Sequence, residues 1–140
     1  MRDWATLNTS VIAEFRANGG RVERFGDLPV VILHTIGARS GSVREVPLIP
    51  VFVADRMLLF GTAAGARSHP SWYFNLVAHP RITVESGVET FAADVVLLPD
   101  AEGEQIVINR AASTPQLADY VAAAAPRVIP VFEVTRHNSV

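Results

Sequence analysis

The sequence predicts an α+β fold, mostly antiparallel, in which about six strands close fully or partly into a barrel covered by helices. Three observations lead there. From Pro29 onward, β-branched runs follow one another so closely that hairpins rather than crossover helices must join most of them. Most of these runs carry apolar residues on both faces, which suits a curled sheet with helices outside better than an open sheet with one wet side. Helical periodicity is confined to the N-terminus, a short stretch after the third strand and two segments before the last strand.

Residues 1–20 supply the N-terminal helix. From Asp3 to Asn18, Trp4, Leu7, Val11 and Phe15 fall on one face, and Gly19-Gly20 stops the helix. Packing on the core is its expected role; a lid over a ligand or a weak membrane-surface contact are the alternatives. Val30 to Ile36 is a buried-type strand, Arg44 to Val53 a second and Met57 to Thr62 a third, with Ala54-Asp55-Arg56 turning between the last two. Pro47 and Pro50 lack backbone donors, so the second strand is expected to be bulged or to lie at an edge.

Pro70 to Ala78 reads as a short helix with the proline at its first position. Ile82 to Glu85 and Glu89 to Leu98 form a hairpin about Ser86-Gly87. Asp100 starts a helix to about Asn109, Thr114-Pro115 caps another to about Ala124, and Ile129 to Arg136 closes as the last strand. The length allows one domain, residues 1–140, with neither repeat nor linker.

Composition removes several functions. With 49% hydrophobic residues, 19% charged residues and a net charge of -2, nothing favours nucleic acid or an anionic membrane as partner. No cysteine is present, so disulfides, thiolate metal sites and cysteine nucleophiles are excluded. The first 20 residues lack the apolar core of a signal peptide and no run is long enough to span a bilayer, so a cytoplasmic protein is expected. Gly37-Ala38-Arg39-Ser40-Gly41 places its serine one position late for a nucleophile elbow. His34, His69, His79 and His137 have no metal-ligand spacing, so no metal is expected, and phosphate-loop and dinucleotide fingerprints are absent.

Two polar clusters remain. In TIGARSGSVREVPL, residues 35–48, Gly37 and Gly41 let backbone amides approach a ligand. Arg39 and Arg44 offer planar forks for phosphate or carboxylate, and Ser40 and Ser42 add neutral donors. In GARSHPSWYFNL, residues 65–76, Arg67 and the helix start at Pro70 favour negative charge, while Trp72 and Tyr73 offer flat faces and Asn75 an amide. On the residues alone, a solvated hairpin tip and plain core packing stay open as alternatives.

Together the clusters resemble the deazaflavin-dependent nitroreductase family of actinobacteria, split β-barrel proteins that bind reduced coenzyme F420. Thr35, Gly37, Arg39, Ser40, Gly41, Arg44, Pro47 and Leu48 match the family's T-x-G-basic-basic-S-G, P-R and P-L pattern. His69, Pro70, Trp72, Tyr73, Asn75 and Leu76 match H-P-x-W-Y-x-N-L, and Ala118 to Tyr120 and Ile129 to Val131 match the later A-D-Y and I-P-V. The resemblance implies that Arg39 and Arg44, with Ser40 and Gly41, hold the cofactor's phosphate and acidic tail, that Pro47, Pro70, Trp72 and Asn75 shape the ring slot, and that Tyr120 lies over the substrate pocket as the catalytic residue.

Such a protein passes hydride from reduced F420 to a small electron-poor acceptor: a quinone, enone or nitro compound. An oxidoreductase with FMN as cofactor, or a non-catalytic F420 or apolar-ligand binder, are the alternatives, and a homodimer is compatible with the apolar strand faces. Ala38 and Ala63 depart from the family pattern, standing where basic residues are usual, and Arg67 is placed to compensate in part.

Overall fold

The structure, a computed structural model, describes residues 4–137. Helix α1 (Trp4–Ala17) precedes strands β1 (Val31–Ile36), β2 (Val43–Leu48), β3 (Val51–Val53) and β4 (Arg56–Phe60). Helix α2 (Ser71–Ala78) leads into the hairpin β5 (Arg81–Ser86) and β6 (Glu89–Leu97); helices α3 (Asp100–Ala111) and α4 (Pro115–Ala124) then lead to β7 (Val131–Arg136). Asp3 and the side chain of Trp4, both part of the expected first helix, lie outside the described residues.

All seven strands form one sheet in the order β2-β1-β5-β6-β7-β4-β3, every neighbouring pair antiparallel. The expected second strand is therefore two. Ile49 and Pro50 interrupt it, and its halves sit at opposite edges of the sheet. Pro50 has no N–H to give a ladder, and pairing with β1 ends at Leu48, so the chain leaves one edge and joins the other. Leu48 and Val51 are three residue steps apart and so no more than about 11 Å from each other. In a flat sheet of this order the edges would stand roughly 29 Å apart. Only curling reconciles the two, which gives the expected half-closed barrel.

Period-two alternation divides the core between inside and outside. Val31, Leu33, Leu59, Val84, Val95, Phe132 and Val134 fill the interior with Leu76 from α2. Their neighbours face outward: Ile32 meets Val11, Ile12 and Phe15 of α1, while Leu58 and Val131 meet Val107 of α3 and Leu117 and Ala124 of α4. Both-faces-apolar strands thus reflect helices on the outer surface. Edge strand β2 is the exception, exposed over its first half.

Smaller differences have local causes. Pro70 is the residue before α2, extended at φ -65 and ψ 156, rather than its first helical residue. The β5–β6 turn is Gly87-Val88, because Ser86 pairs directly with Glu89 and Gly87 takes the positive φ of 61 the tight turn needs. Thr114 precedes α4 without a side-chain capping bond.

Charge reinforces the attachment of α1. Arg16 donates to Glu85 at 2.6 and 3.1 Å and to Glu45 at 2.7 Å, and His34 Nε2 lies 2.6 Å from Glu85. The bond from Arg16, then that with His34, holds the Glu85 carboxyl below its ordinary value of 4.5. That stabilisation is present above the unfolded-state value and is lost as pH falls through the lower folded-state value. Glu85→Gln is expected to lower the unfolding free energy by about 1.5–3 kcal/mol and to flatten the acid limb of stability, measured by urea denaturation across an acid pH series.

Candidate functional site

An open cleft of about 1140 Å³ lies where the β2 edge meets α2. Its walls come from residues 35–48, the loop from Thr62 to Pro70, the first turns of α2, Phe60 of β4 and Asn8 of α1. The volume exceeds the roughly 300–1,000 Å³ of most small-molecule sites, enough for a cofactor with a second reactant. Asn8 is the contribution of α1, whose apolar face is already taken up by the sheet.

The fold brings the two sequence clusters together by a direct bond. The Ala38 backbone N–H donates to the Asn75 side-chain oxygen at 2.9 Å. This joins the β1–β2 turn to α2 and assigns Asn75 an organising role in the cleft wall. Within the turn, Thr35, 1% exposed, donates its hydroxyl to the Arg44 carbonyl at 2.8 Å. Gly37 accepts from the Gly41 N–H at 2.9 Å and donates to the Ser42 carbonyl at 2.8 Å. A side chain at Gly37 would meet the Ser40 hydroxyl at 2.4 Å, so a larger residue there would have to displace that hydroxyl from its bond to Ser42. Ser40 and Ser42 share a hydroxyl–hydroxyl bond of 2.7 Å, so much of their hydrogen-bonding capacity is used inside the turn.

Of the expected site residues, Arg39, Ser40, Arg44, Pro47, Pro70, Trp72 and Asn75 line the cleft. Gly41, Arg67 and Tyr120 do not line it. Gly41 is the turn's left-handed residue at φ 72, its N–H already bonded. Arg67 is exposed beyond the wall. Tyr120 stands behind it: the α4 backbone at this residue lies 3.3 Å from where a side chain on Gly65 would begin. Ala38 and Ala63 both line the cleft, so the two missing basic residues are missing from its wall.

Trp72 serves twice, since it also packs on the barrel interior, 5.8 Å from the Phe132 ring. The charges of the cleft are those of Arg39 and Arg44, and neither has an ion pair or side-chain hydrogen bond among the described residues. Arg16, Arg21, Arg56, Arg81 and Arg136, by contrast, each pair with a carboxylate. An exposed guanidinium pair beside the flat apolar surfaces of Pro47 and Trp72 fits a ligand with an anionic tail and a planar ring.

Sequence reasoning missed Arg127, which organises the far wall. Its guanidinium donates to the carbonyls of Gly61 (2.9 Å), Thr62 (2.9 Å) and Ala66 (2.8 and 3.0 Å) and to His69 Nδ1 (3.1 Å). The clamp holds Ala63, Ala64 and Gly65 in successive left-handed conformations, φ 49, 54 and 83. Each alanine there sacrifices about 1–2 kcal/mol of backbone preference. No local pattern announces a side chain that reaches back some sixty residues, although an arginine in an apolar stretch before the last strand was the available signal.

The fold also gathers His34, Glu45 and Glu85, with ligating atoms within 4.8 Å of one another, from three different strands. Arg16 is the cation held between these carboxylates.

A family profile described as F420H(2)-dependent quinone reductase matches residues 7–136. The chain belongs to this family. An F420H(2)-dependent quinone reductase of Mycobacterium tuberculosis H37Rv is 31% identical over 81 residues, 56% of this chain and 54% of the relative. The protein of that description from M. tuberculosis CDC 1551 gives the same figures. The chain thus spans about half the length of the curated relatives it matches. Among solved structures, an F420-H2-dependent reductase, FDR-A, is similar at a TM-score of 0.64 and 33% identity, covering 76% of this chain and 94% of that one. A second, described as a domain-swapped dimer, has a TM-score of 0.65 and 30% identity, covering 91% of this chain and 96% of the other.

Arg127→Met is expected to lower stability by about 2–4 kcal/mol, because the part-buried carbonyls of Gly61 and Thr62 and the exposed one of Ala66 lose a charged donor together. Thermal denaturation measures the loss, and limited proteolysis should locate new cleavage between residues 61 and 70.

Proposed function

We propose that this member of the F420H(2)-dependent quinone reductase family transfers hydride from reduced F420 to an electron-poor organic acceptor, with a quinone as the leading class and enones or nitro compounds within reach of the same chemistry. The observation that carries this reading is the convergence in one cleft of two arginines whose side chains have no partner among the described residues, Arg39 and Arg44, with the apolar surfaces of Pro47 and Trp72. Arg39 and Arg44 would hold the phosphate and acidic tail. Pro47, Pro70 and Trp72 would flank the ring, and Asn75 would fix the turn that carries Arg39.

When bound, the deazaflavin supplies the hydride chemistry. The protein orients the ring, excludes water from one side and leaves room for the acceptor. No side-chain nucleophile is required, in keeping with a cleft wall that offers none in a triad arrangement. Tyr120 enters this reading as support for the turn at Gly65, one layer behind the ligand. Gly41 enters it as the residue that allows the turn.

We further infer that residues 1–140 act as one deazaflavin-binding unit in the cytoplasm; among the described residues no helix is long and apolar enough to cross a membrane. The similar structure described as a domain-swapped dimer favours a homodimer, which sedimentation velocity would register.

Titration with oxidised or reduced F420 is expected to give a saturable fluorescence change, and FMN none at comparable concentration; the reverse pattern would transfer the protein to the FMN-binding split barrels. Arg39→Ala and Arg44→Ala should each weaken F420 binding about tenfold or more. Unchanged affinity in both would remove the anion grip from the proposal.

A further inference from the structure

His69 lines the cleft and is the one titratable group of its wall whose protonation state the geometry dictates. An arginine guanidinium has only donors, so at 3.1 Å from Arg127 the Nδ1 of His69 must present its lone pair. The ring's proton is then on Nε2, and the imidazole is neutral. Burial first, and then the Arg127 charge, push its pKa below the ordinary 6.5 against a weaker opposing pull from Asp100. The ring is fixed in place by its surroundings as well as kept neutral by them: it stacks on Tyr73 at 4.0 Å and 22° and meets Phe74 edge-on at 6.1 Å.

Nε2 has no protein partner among the described residues. No side-chain nitrogen or oxygen among them is both buried and unpaired, so Nε2 reaches solvent, and it is the polar edge that His69 has left to offer the cleft. A neutral N–H held in one place cannot readily give up its proton, yet it can stabilise charge that develops on an oxygen facing it.

The geometry points to His69 as a catalytic hydrogen-bond donor, its Nε2–H directed at a carbonyl oxygen of the hydride acceptor. This rests on the proposed F420-dependent reduction. In that reaction the acceptor gains a hydride, two electrons and one proton, from the reduced cofactor, which is oxidised. The acceptor's oxygen becomes an oxyanion and then takes a proton from water, while the imidazole keeps its own. The donor thus favours acceptors with a carbonyl oxygen over those without one. Arg127 acts as a positioning residue by fixing which nitrogen of His69 is protonated.

Two measurements test this independently. In protein labelled with 15N-histidine, the His69 signals at neutral pH are expected to report a neutral ring protonated at Nε2, and Arg127→Met should shift them toward a mixture of tautomers. A Nδ1-protonated ring or an imidazolium in the native protein would overturn the assignment. For turnover, His69→Asn keeps an acceptor for Arg127 while removing the Nε2 donor, whereas His69→Gln places an amide donor near the Nε2 position.

His69→Asn should lower kcat with a soluble quinone about a hundredfold with F420 affinity within about twofold of native, and His69→Gln should recover part of that loss. His69→Phe, which keeps the stack on Tyr73, should behave like His69→Asn. A kcat within threefold of native in His69→Asn and His69→Phe, or a loss confined to F420 affinity, would overturn the role. Failure of the underlying reading shows separately, as absence of F420 binding in the native protein before any variant is made.

Discussion

Two residues hold this fold in its shape. Ile49 and Pro50 join the outermost strands of a seven-stranded sheet, so the sheet curls until its edges lie within reach of that link. Everything around the cleft follows. The interior becomes narrow enough for alternate residues of β1, β4, β5, β6 and β7 to fill with Leu76, and the outer face is left for α1 on one side and α3 with α4 on the other. The cleft forms beside this seam, where β2 has covered neighbours on one edge only and α2 supplies the opposing wall.

Polar groups are divided between holding the scaffold and facing the cleft. Arg16, Arg56 and Arg127 bind across elements: α1 to β2 and β5, β4 to β7 and α3, and the residues before β7 to the loop 61–69. The side chains of Arg39 and Arg44 have no ion pair or hydrogen bond among the described residues. The backbone around them is already fixed by Thr35, Gly37 and Asn75. The preorganisation lies in the turn, with the long arginine side chains free to adapt.

Much of this was legible in the sequence, and the limits are physical. Strand and helix periodicity located the four α-helices and every strand apart from the split of the second, with ends within one or two residues of those observed, because local alternation and spacing encode burial directly. The split at Ile49-Pro50 was visible only as two awkward prolines; that its halves part to opposite edges is a property of the whole sheet. That Arg39, Ser40, Arg44, Pro47, Pro70, Trp72 and Asn75 share one cleft was within reach of the sequence because each cluster is contiguous in the chain. Arg127 was not found, since its acceptors lie about sixty residues earlier, and the tautomer of His69 depends wholly on that contact. Tyr120 and Arg67 were placed by pattern and proximity, and neither lines the cleft: Tyr120 sets the α4 backbone against Gly65, and Arg67 is exposed on the loop.

Evolutionary change at the left-handed turn is asymmetric. Ala63 and Ala64 already adopt positive φ, so the backbone penalty for an unbranched side chain has been incurred at both positions, and glycine would relieve it. A lysine or arginine at residue 63 would therefore enter the cleft wall on a backbone that need not change, whereas a β-branched residue would meet added strain. Positive charge on this wall can be gained or lost by single substitutions without rebuilding the loop, while the cleft surfaces of Pro47 and Trp72 stay as they are.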